Sequence, residues 1–392
     1  MRNYLQIFFA CFIVFGCSQS GTNSDKEKGE EKETANAQAK KEMIVLTDRP
    51  PNIETPLSYF KEDFTPNDVF FVRWHLSGMP ASVDTNKFRL TISGHVKKEL
   101  SLSLDDLKTK FKPTTIVALA ECAGNARSFF DPRVPGGQWK NGAMGNARWT
   151  GVKVKDILDA AGVKPGAFDV AFNGLDQPPL ESVPDFIKSL RIDHAMDGEV
   201  MIAYEMNGAP LPLLNGYPLK LVVPGWYATY WIGMLDEIKI YPDTFIGYWM
   251  QKAYLVPKGV RNGNEQPDSL AKVTEPISKL DVRSIFVSPE PDEVLSANEK
   301  YVVQGLAFDA GDGIVKVEIT TDGKTWQTAN LDPVIGKYSW RRWKYHWTPA
   351  TAGTYTLSVK ATNAIGETQP THQWNRSGYM RNEIETLKLN VK

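Results

Sequence analysis

The sequence predicts two folded regions, an α+β domain with a mixed sheet followed by a β-sandwich. Residues 43–272 mix short apolar runs with helical spacing, whereas residues 275–392 alternate apolar and polar side chains between frequent turn signals. The chain has 392 residues, 42% of them hydrophobic and 11% aromatic, which is enough for two buried cores. A formal net charge of −1 does not indicate a nucleic-acid-binding protein.

One helix and three strands are indicated in the first domain by the spacing of apolar side chains. Val154, Ile157, Leu158 and Ala161 recur at three- and four-residue intervals, and Gly162 is typical of a helix end, so we expect a helix over residues 150–162. Three strand-like runs, separated from one another by proline and glycine clusters, predict strands at residues 88–92, 115–120 and 220–223.

Strict alternation predicts the strands of the second domain. Residues 315–319 alternate apolar and polar side chains, Asp322-Gly323 is typical of a hairpin turn, and residues 355–361 alternate again. Repeated short strands with turn signals every 8–12 residues favour a β-sandwich of immunoglobulin type.

The N-terminal residues resemble an export segment with a lipid-attachment site. Residues 5–15 are apolar except for Gln6, and the run is far shorter than the ~20 residues that span a bilayer. Val14-Phe-Gly-Cys17 resembles a bacterial lipobox, so we expect residues 1–17 to be a lipoprotein signal peptide and Cys17 to be acylated. Residues 18–42 hold six acidic and five basic residues, which predicts a disordered tether.

Cys122 is the only cysteine outside the export segment, so it has no disulfide partner within the predicted mature chain. A free cysteine often packs as a small apolar side chain, but here it follows a predicted buried strand at the start of a loop. Arg127, five residues later, is a cation that can hold the thiol as thiolate, which is a soft metal ligand. Core packing and metal ligation therefore both stay open on these residues alone.

Further motifs surround Cys122-Ala-Gly-Asn-Ala-Arg127 in a fixed order over about 300 residues. They are Phe70-Phe-Val-Arg-Trp-His75, Arg148-Trp-Thr-Gly151, Phe172-Asn-Gly-Leu-Asp176, Ala203-Tyr-Glu-Met-Asn-Gly-Ala-Pro-Leu-Pro212, Asn215-Gly-Tyr-Pro-Leu-Lys220, Val222-Val-Pro-Gly225 and Trp374-Asn375. This ordered set resembles the sulfite oxidase family of molybdenum enzymes. The resemblance implies a molybdopterin-binding catalytic domain over residues 43–272 and a dimerisation domain over residues 275–392.

The resemblance also implies the chemistry of the site. Cys122 would bind molybdenum together with the two sulfurs of one molybdopterin, one cofactor per chain. Arg73 and Arg127 would bind the sulfite dianion, since planar guanidinium groups suit a buried oxyanion. Tyr254 and Trp139 would line the same pocket.

The residues expected to hold the pterin or its phosphate are Phe71, His75, Asn125, Asp176, Asn215 and Lys220. Asn215 stands where relatives often have a histidine. The family has a further arginine after Trp-Asn, where this chain has Ser377, and either Arg376 or Arg381 close by could replace it.

The sequence has no Cys-x-x-Cys-His motif and no set of cysteines for an iron–sulfur cluster, so we expect no haem and no such cluster. Electrons from sulfite oxidation would therefore pass to a c-type cytochrome or a haem subunit. The expected protein is a homodimer, attached only by its lipid anchor to the periplasmic side of a bacterial membrane.

Two alternatives stay open at this point. A methionine sulfoxide (or other S-oxide) reductase of the same superfamily would run oxygen-atom transfer in the opposite direction. A non-catalytic surface lipoprotein would use the sandwich for adhesion and Cys122 for packing.

Overall fold

A computed structural model describes residues 43–392 of the chain. The predicted signal peptide with Cys17 and the predicted tether, residues 1–42, lie outside the described residues. Within residues 43–392 no helix is both long and apolar enough to cross a membrane.

Three sheets and a two-stranded ribbon form the first domain. The strands are β1 Ile44–Asp48, β2 Pro51–Glu54, β3 Val72–Arg73, β4 Leu90–Gly94, β5 Leu100–Leu102, β6 Thr114–Glu121, β7 Met144–Lys153, β8 Asp169–Gly174, β9 Lys188–Arg191, β10 Met201–Met206, β11 Ala209–Pro210, β12 Lys220–Val222, β13 Leu235–Tyr241, β14 Leu255–Pro257 and β15 Thr274–Pro276. Their orders are β1-β2-β3, β11-β10-β7-β6 with β12 also on β10, β5-β4-β13-β8-β9, and β14-β15. Because β13 runs parallel to β4 and antiparallel to β8, the sheet is mixed, as predicted.

Four short α-helices accompany these sheets. They are α1 Leu104–Lys110, α2 Val154–Ala161, α3 Ile192–Ala195 and α4 Tyr248–Gln251. The Ser103 hydroxyl accepts from the Asp106 amide and the Asp106 carboxylate accepts from the Ser103 amide, which is the capping box that begins α1.

The predicted helix over residues 150–162 begins too early. The first four of these residues belong to β7, where Thr150 lies opposite Glu205 and Val152 opposite Ile202 of β10. β-branched side chains suit this paired strand, so tertiary pairing decides against the helix until Val154. The end of the helix is as predicted, with Gly162 in the left-handed region at φ 67° and its amide donating to Leu158 O.

The second domain is a sandwich of two sheets. Its strands are β16 Arg283–Ser288, β17 Val294–Leu295, β18 Tyr301–Phe308, β19 Ile314–Thr320, β20 Gln327–Thr328, β21 Asn330–Leu331, β22 Arg341–Trp347, β23 Gly353–Asn363 and β24 Glu385–Val391. They form the sheets β16-β18-β22-β21 and β17-β24-β23-β19-β20. The turn predicted at Asp322 is present, since its carboxylate accepts from the amides of Lys324 and Thr325 before β20.

The two domains share a hydrophobic core. Ile285, Phe308 and Trp340 of the second domain are buried in the same cluster as the apolar residues around β6 and β7. Cys122 directly follows β6 and belongs to this cluster. The loop after β6 is therefore enclosed by both domains.

Candidate active site

Cys122 lies at the end of β6, where the chain leaves the sheet. The Cys122 amide donates to Ala143 O at 2.9 Å, which continues the β6–β7 ladder. Cys122 is only 6% exposed. Burial raises the pKa of the Cys122 thiol, while the positive charges of Arg73 and Arg127 act in the opposite direction. A bound cation would remove the thiol proton, because thiolate and not thiol is the metal ligand.

Two cavities meet at Cys122, and we name them by their walls. The aromatic cavity is lined among others by Phe70, Phe71, Trp74, Trp149, Phe186 and Trp231. The arginine cavity is lined among others by Arg73, Arg127, Trp139, Ser377 and Tyr379. Cys122, Arg73 and Tyr254 line both cavities. The thiol is therefore accessible from either cavity.

The two arginines are held differently. Arg127 donates to three backbone carbonyls, from Nε to Gly378 O at 3.2 Å, from Nη1 to Gly137 O at 3.1 Å and from Nη2 to Ser377 O at 3.4 Å. Arg73 donates through Nη1 only, to Asn52 Oδ1 at 3.1 Å and to Trp74 O. Arg73 therefore keeps two of its guanidinium nitrogens for a ligand.

Glycines allow the backbone to approach Arg127 this closely. A Cβ on Gly378, where φ is +61°, would lie 2.8 Å from Arg127 Nε, and a Cβ on Gly136, at φ +109°, would lie 2.9 Å from Nη1. Both the positive φ and the contact exclude larger residues at these positions.

Tyr254 connects the walls of the two cavities. It follows α4 with φ at 57°, its hydroxyl hydrogen-bonds His75 Nε2, and its ring stacks on Tyr379 with centroids 5.0 Å apart. Burial lowers the pKa of His75 well below its usual range and raises that of the Tyr254 hydroxyl. At neutral pH His75 is therefore uncharged and Tyr254 protonated.

The structure brings most of the predicted site residues to these cavities. Trp139, Arg73, Arg127 and Tyr254 line the arginine cavity beside Cys122. The predicted cofactor residues that line the aromatic cavity are Phe71, His75, Asp176, Asn215 and Lys220. Their roles stay predictions.

Asn125 is the exception, since it lines neither cavity. It is 2% exposed; its Nδ2 donates to Glu121 Oε1 at 2.9 Å and its Oδ1 accepts from the Ala143 amide at 3.0 Å. These contacts occupy the amide within the Cys122 loop, so the structure does not support a direct cofactor contact for Asn125.

Neither arginine considered for the third position reaches the cavities. Arg376 pairs with Glu265 at 2.7 Å, and Arg381 pairs with Glu385 at 3.2 Å and Glu383 at 3.5 Å. Ser377 and Tyr379 line the arginine cavity instead. Sequence reasoning missed Tyr379, and the only signal was the departure from the family pattern at Ser377 two residues earlier.

Known proteins resemble the chain over nearly all of its described length. Residues 76–249 match the family described as oxidoreductase molybdopterin binding domain, and residues 274–391 match the Mo-co oxidoreductase dimerisation domain. Mitochondrial sulfite oxidase of Homo sapiens is 32% identical over 368 residues, covering 89% of this chain and 66% of the human protein. Sulfite oxidase of Gallus gallus is 32% identical over 356 residues, covering 86% of this chain and 76% of the relative.

One solved structure agrees in fold over both chains. The sulfane dehydrogenase SoxCD from Paracoccus pantotrophus superposes with a TM-score of 0.77 and 25% identity, covering 96% of this chain and 96% of that chain. The fold and the cavities around Cys122 thus define a molybdopterin-dependent oxidoreductase. Within that class the chain belongs to the sulfite oxidase family. Membership of this family favours an enzyme over the alternative of a non-catalytic surface lipoprotein.

The aromatic cavity fits molybdopterin by its own chemistry. Lys220 forms no ion pair among residues 43–392, and burial lowers its pKa to about 8, so an anionic phosphate would supply the missing countercharge. Thr229 Oγ1 is buried in the cavity wall with no partner in the described part of the chain. Flat aromatic walls with a few polar groups suit a pterin ring. Among residues 43–392 no three His, Cys, Asp or Glu side chains cluster as a metal site, and Cys122 would be a protein ligand to the molybdenum.

We expect Tyr254→Phe to lower kcat/KM for the substrate about three- to tenfold, as for one lost hydrogen bond. The substitution deletes the hydroxyl that contacts His75 but keeps the ring stacked on Tyr379. Steady-state kinetics measure the effect. Tyr248→Phe is the matched control, because Tyr248 lies on the same segment with 48% exposure and lines neither cavity. Either a complete loss of activity or an unchanged kcat/KM in Tyr254→Phe would contradict this role for Tyr254.

Proposed function

We propose that this protein catalyses the molybdenum-dependent oxidation of sulfite to sulfate and passes the electrons to an external acceptor. The observation that supports the proposal is the placement of Cys122 between a cavity that suits molybdopterin and a cavity that presents two arginines. The match spans 66% of the length of human sulfite oxidase. The activity of the human protein is therefore a proposal for this chain.

The arginine cavity has the properties that a small dianion requires. Removing sulfite from water is unfavourable unless fixed charges replace its hydration. Arg127 is held rigidly by three carbonyls and is 7% exposed, while Arg73 presents free donors from the wall that both cavities share. The protonated Tyr254 hydroxyl can add a neutral donor.

In the overall reaction sulfite gains one oxygen atom that comes from water, and two protons and two electrons are released. Bound molybdenum would supply the oxygen-transfer and electron-accepting chemistry, which protein side chains lack. The residues of the chain bind and orient the anion: Arg73 and Arg127 neutralise its charge, and Trp139, 2% exposed, limits the space beside them. Pre-organised charge of this kind needs little rearrangement during the reaction.

A sulfane sulfur substrate is the second candidate, because SoxCD, named as a sulfane dehydrogenase, matches 96% of this chain. Ser377 and Tyr379 leave the arginine cavity with two rather than three arginines, which also suits a less charged sulfur compound. Methionine sulfoxide reduction has no such observation in its favour, since two fixed cations suit an anion better than a neutral sulfoxide.

Metal analysis and one set of assays test the proposal. We expect about one molybdenum per chain, because each chain supplies one thiolate ligand, Cys122. We also expect kcat/KM for sulfite with cytochrome c to exceed that for thiosulfate with cytochrome c and for methionine sulfoxide with a reduced dye. Protein free of molybdenum after expression with excess molybdate, or a preference for either other substrate, would refute sulfite oxidation.

We further propose a homodimer through residues 274–391 and attachment by Cys17 to the periplasmic side of a bacterial membrane. The match to a dimerisation domain supports the dimer, and the lipobox-like Val14-Phe-Gly-Cys17 supports the anchor. Sedimentation of protein lacking residues 1–42, and mass spectrometry of the intact N-terminus, test the two proposals separately.

We expect sulfite-dependent reduction of a c-type cytochrome, at a rate that falls mildly as ionic strength rises. Electron-transfer encounters use small surfaces and charge complementarity, and a net charge of −1 leaves only local patches for steering. Stopped-flow reduction at several salt concentrations measures this. Rapid sulfite-dependent oxygen consumption with cytochrome left oxidised would indicate an oxidase instead.

A further inference from the structure

A buried ion pair joins the residue before Cys122 to the second domain. Arg283, at the start of β16, donates from Nη1 to Glu121 Oε1 at 2.7 Å. Arg283 is 1% exposed and Glu121 2% exposed, so both charges are removed from water. The pair lies behind Cys122 and lines neither cavity, so it is not placed to contact substrate.

The same guanidinium also contacts the end of the loop between β6 and β7. Arg283 Nη2 donates to Asn141 Oδ1 at 2.5 Å, and Asn141 Nδ2 donates to Glu385 Oε1 at 2.6 Å. Glu385 Oε2 in turn accepts from Arg381 at 3.2 Å. A continuous set of polar contacts therefore connects the loop between β6 and β7 to Arg283 in the first strand of the second domain and to Glu385 in its last strand, β24.

Arg283 thus contacts the chain on both sides of Cys122. On one side is Glu121, which also accepts from Asn125; on the other is Asn141, two residues before Ala143. The Ala143 carbonyl accepts from the Cys122 amide at 2.9 Å, and the Ala143 amide donates to Asn125 Oδ1 at 3.0 Å. Hydrogen bonds therefore lead from this guanidinium through Glu121 to Asn125, and from Asn125 to Ala143, whose carbonyl accepts from the Cys122 amide.

We propose that Arg283 is a positioning residue for the metal ligand Cys122, so that the domain matched as a dimerisation domain also completes the active site. Buried ion pairs contribute little net stability compared with apolar replacements, so stability alone does not account for such a pair. Partners that orient a metal ligand typically change metal affinity or activity when lost. The inference rests on the proposed function only in requiring that Cys122 binds molybdenum.

The test uses the double substitution Glu121→Gln with Arg283→Met in the full chain. Glutamine keeps an acceptor for Asn125, and methionine fills the volume of the arginine stem without leaving an unpaired charge. We expect a melting temperature close to wild type, a roughly ten- to hundredfold loss of kcat with KM for sulfite little changed, and a shifted thiolate-to-metal absorption band. Lower molybdenum content per chain is the readout that does not depend on activity.

Arg342→Met is the matched control. Arg342 also connects the two domains, through Lys61 O at 2.7 Å and Asp63 at 3.0 Å, but it has no contact with the loop of Cys122. We expect wild-type metal content, absorption and kcat for this variant.

A double variant with wild-type molybdenum content, absorption band and kcat would overturn the proposal. If the double variant does not fold, Arg283→Lys decides, since lysine keeps a charge for Glu121 but lacks the second nitrogen that bonds Asn141 in the wild type. An unchanged absorption band and metal content in that variant overturn the proposal equally. Because metal content and absorption do not involve substrate, wild-type protein that binds molybdenum but does not oxidise sulfite would refute only the proposed reaction.

Discussion

Cys122→Ser is expected to abolish sulfite-dependent turnover, lowering kcat by at least about three orders of magnitude, or about 4 kcal/mol in activation free energy. Serine nearly preserves the volume of the side chain but replaces a soft thiolate with a hydroxyl that is poorly ionised. Since the side chain is buried where β6 ends, the substitution should leave the sheets intact. Steady-state assays with cytochrome c and metal analysis measure the two effects, and circular dichroism checks the fold.

Ser128→Ala is the control for Cys122→Ser. Ser128 lies in a single 3-10 turn, Arg127–Phe129, that follows the Cys122 loop. It lines neither cavity, and its buried hydroxyl has no hydrogen-bond partner among residues 43–392. This variant should retain wild-type turnover. Near-wild-type sulfite oxidation by Cys122→Ser would remove the basis for metal ligation.

Arg73→Gln and Arg127→Gln are each expected to raise KM for sulfite roughly ten- to a hundredfold, because a hydrogen bond to a charged group contributes about 1.5–3 kcal/mol. The structure separates the two variants. Arg73 has free donors, so its loss should affect binding with little change in melting temperature. Arg127 also holds Gly137, Ser377 and Gly378, so its loss should in addition lower the free energy of unfolding by about 1–3 kcal/mol.

Arg133→Gln provides the comparison for both arginine variants. Arg133 is exposed, donates to Gln138 Oε1 at 3.1 Å and lines neither cavity. Kinetics and thermal denaturation of the three variants should show two separate effects at Arg127, one at Arg73 and none at Arg133. If Arg73→Gln and Arg127→Gln both kept wild-type kcat and KM, the anion would bind elsewhere.

The fold class was predictable because its local signals agree with the tertiary structure. The alternation at residues 355–361 predicts part of β23, and the apolar run at residues 115–120 lies within β6. The start of the predicted helix was wrong because Thr150 pairs with Glu205 and Val152 with Ile202 of β10, a strand that comes much later in the chain. Local spacing contains no information about such a partner.

The sequence by itself determined the family and predicted Arg73 and Arg127 as companions of Cys122, because these residues stand in ordered motifs. Only the tertiary structure decided which side chains from the second domain complete the site. Arg376 and Arg381 find carboxylate partners, whereas Tyr379 stacks on Tyr254 and lines the cavity. The physical reason is that buried charges such as Glu265 and Arg381 must be paired, and their partners are set by packing between segments that local sequence patterns do not relate.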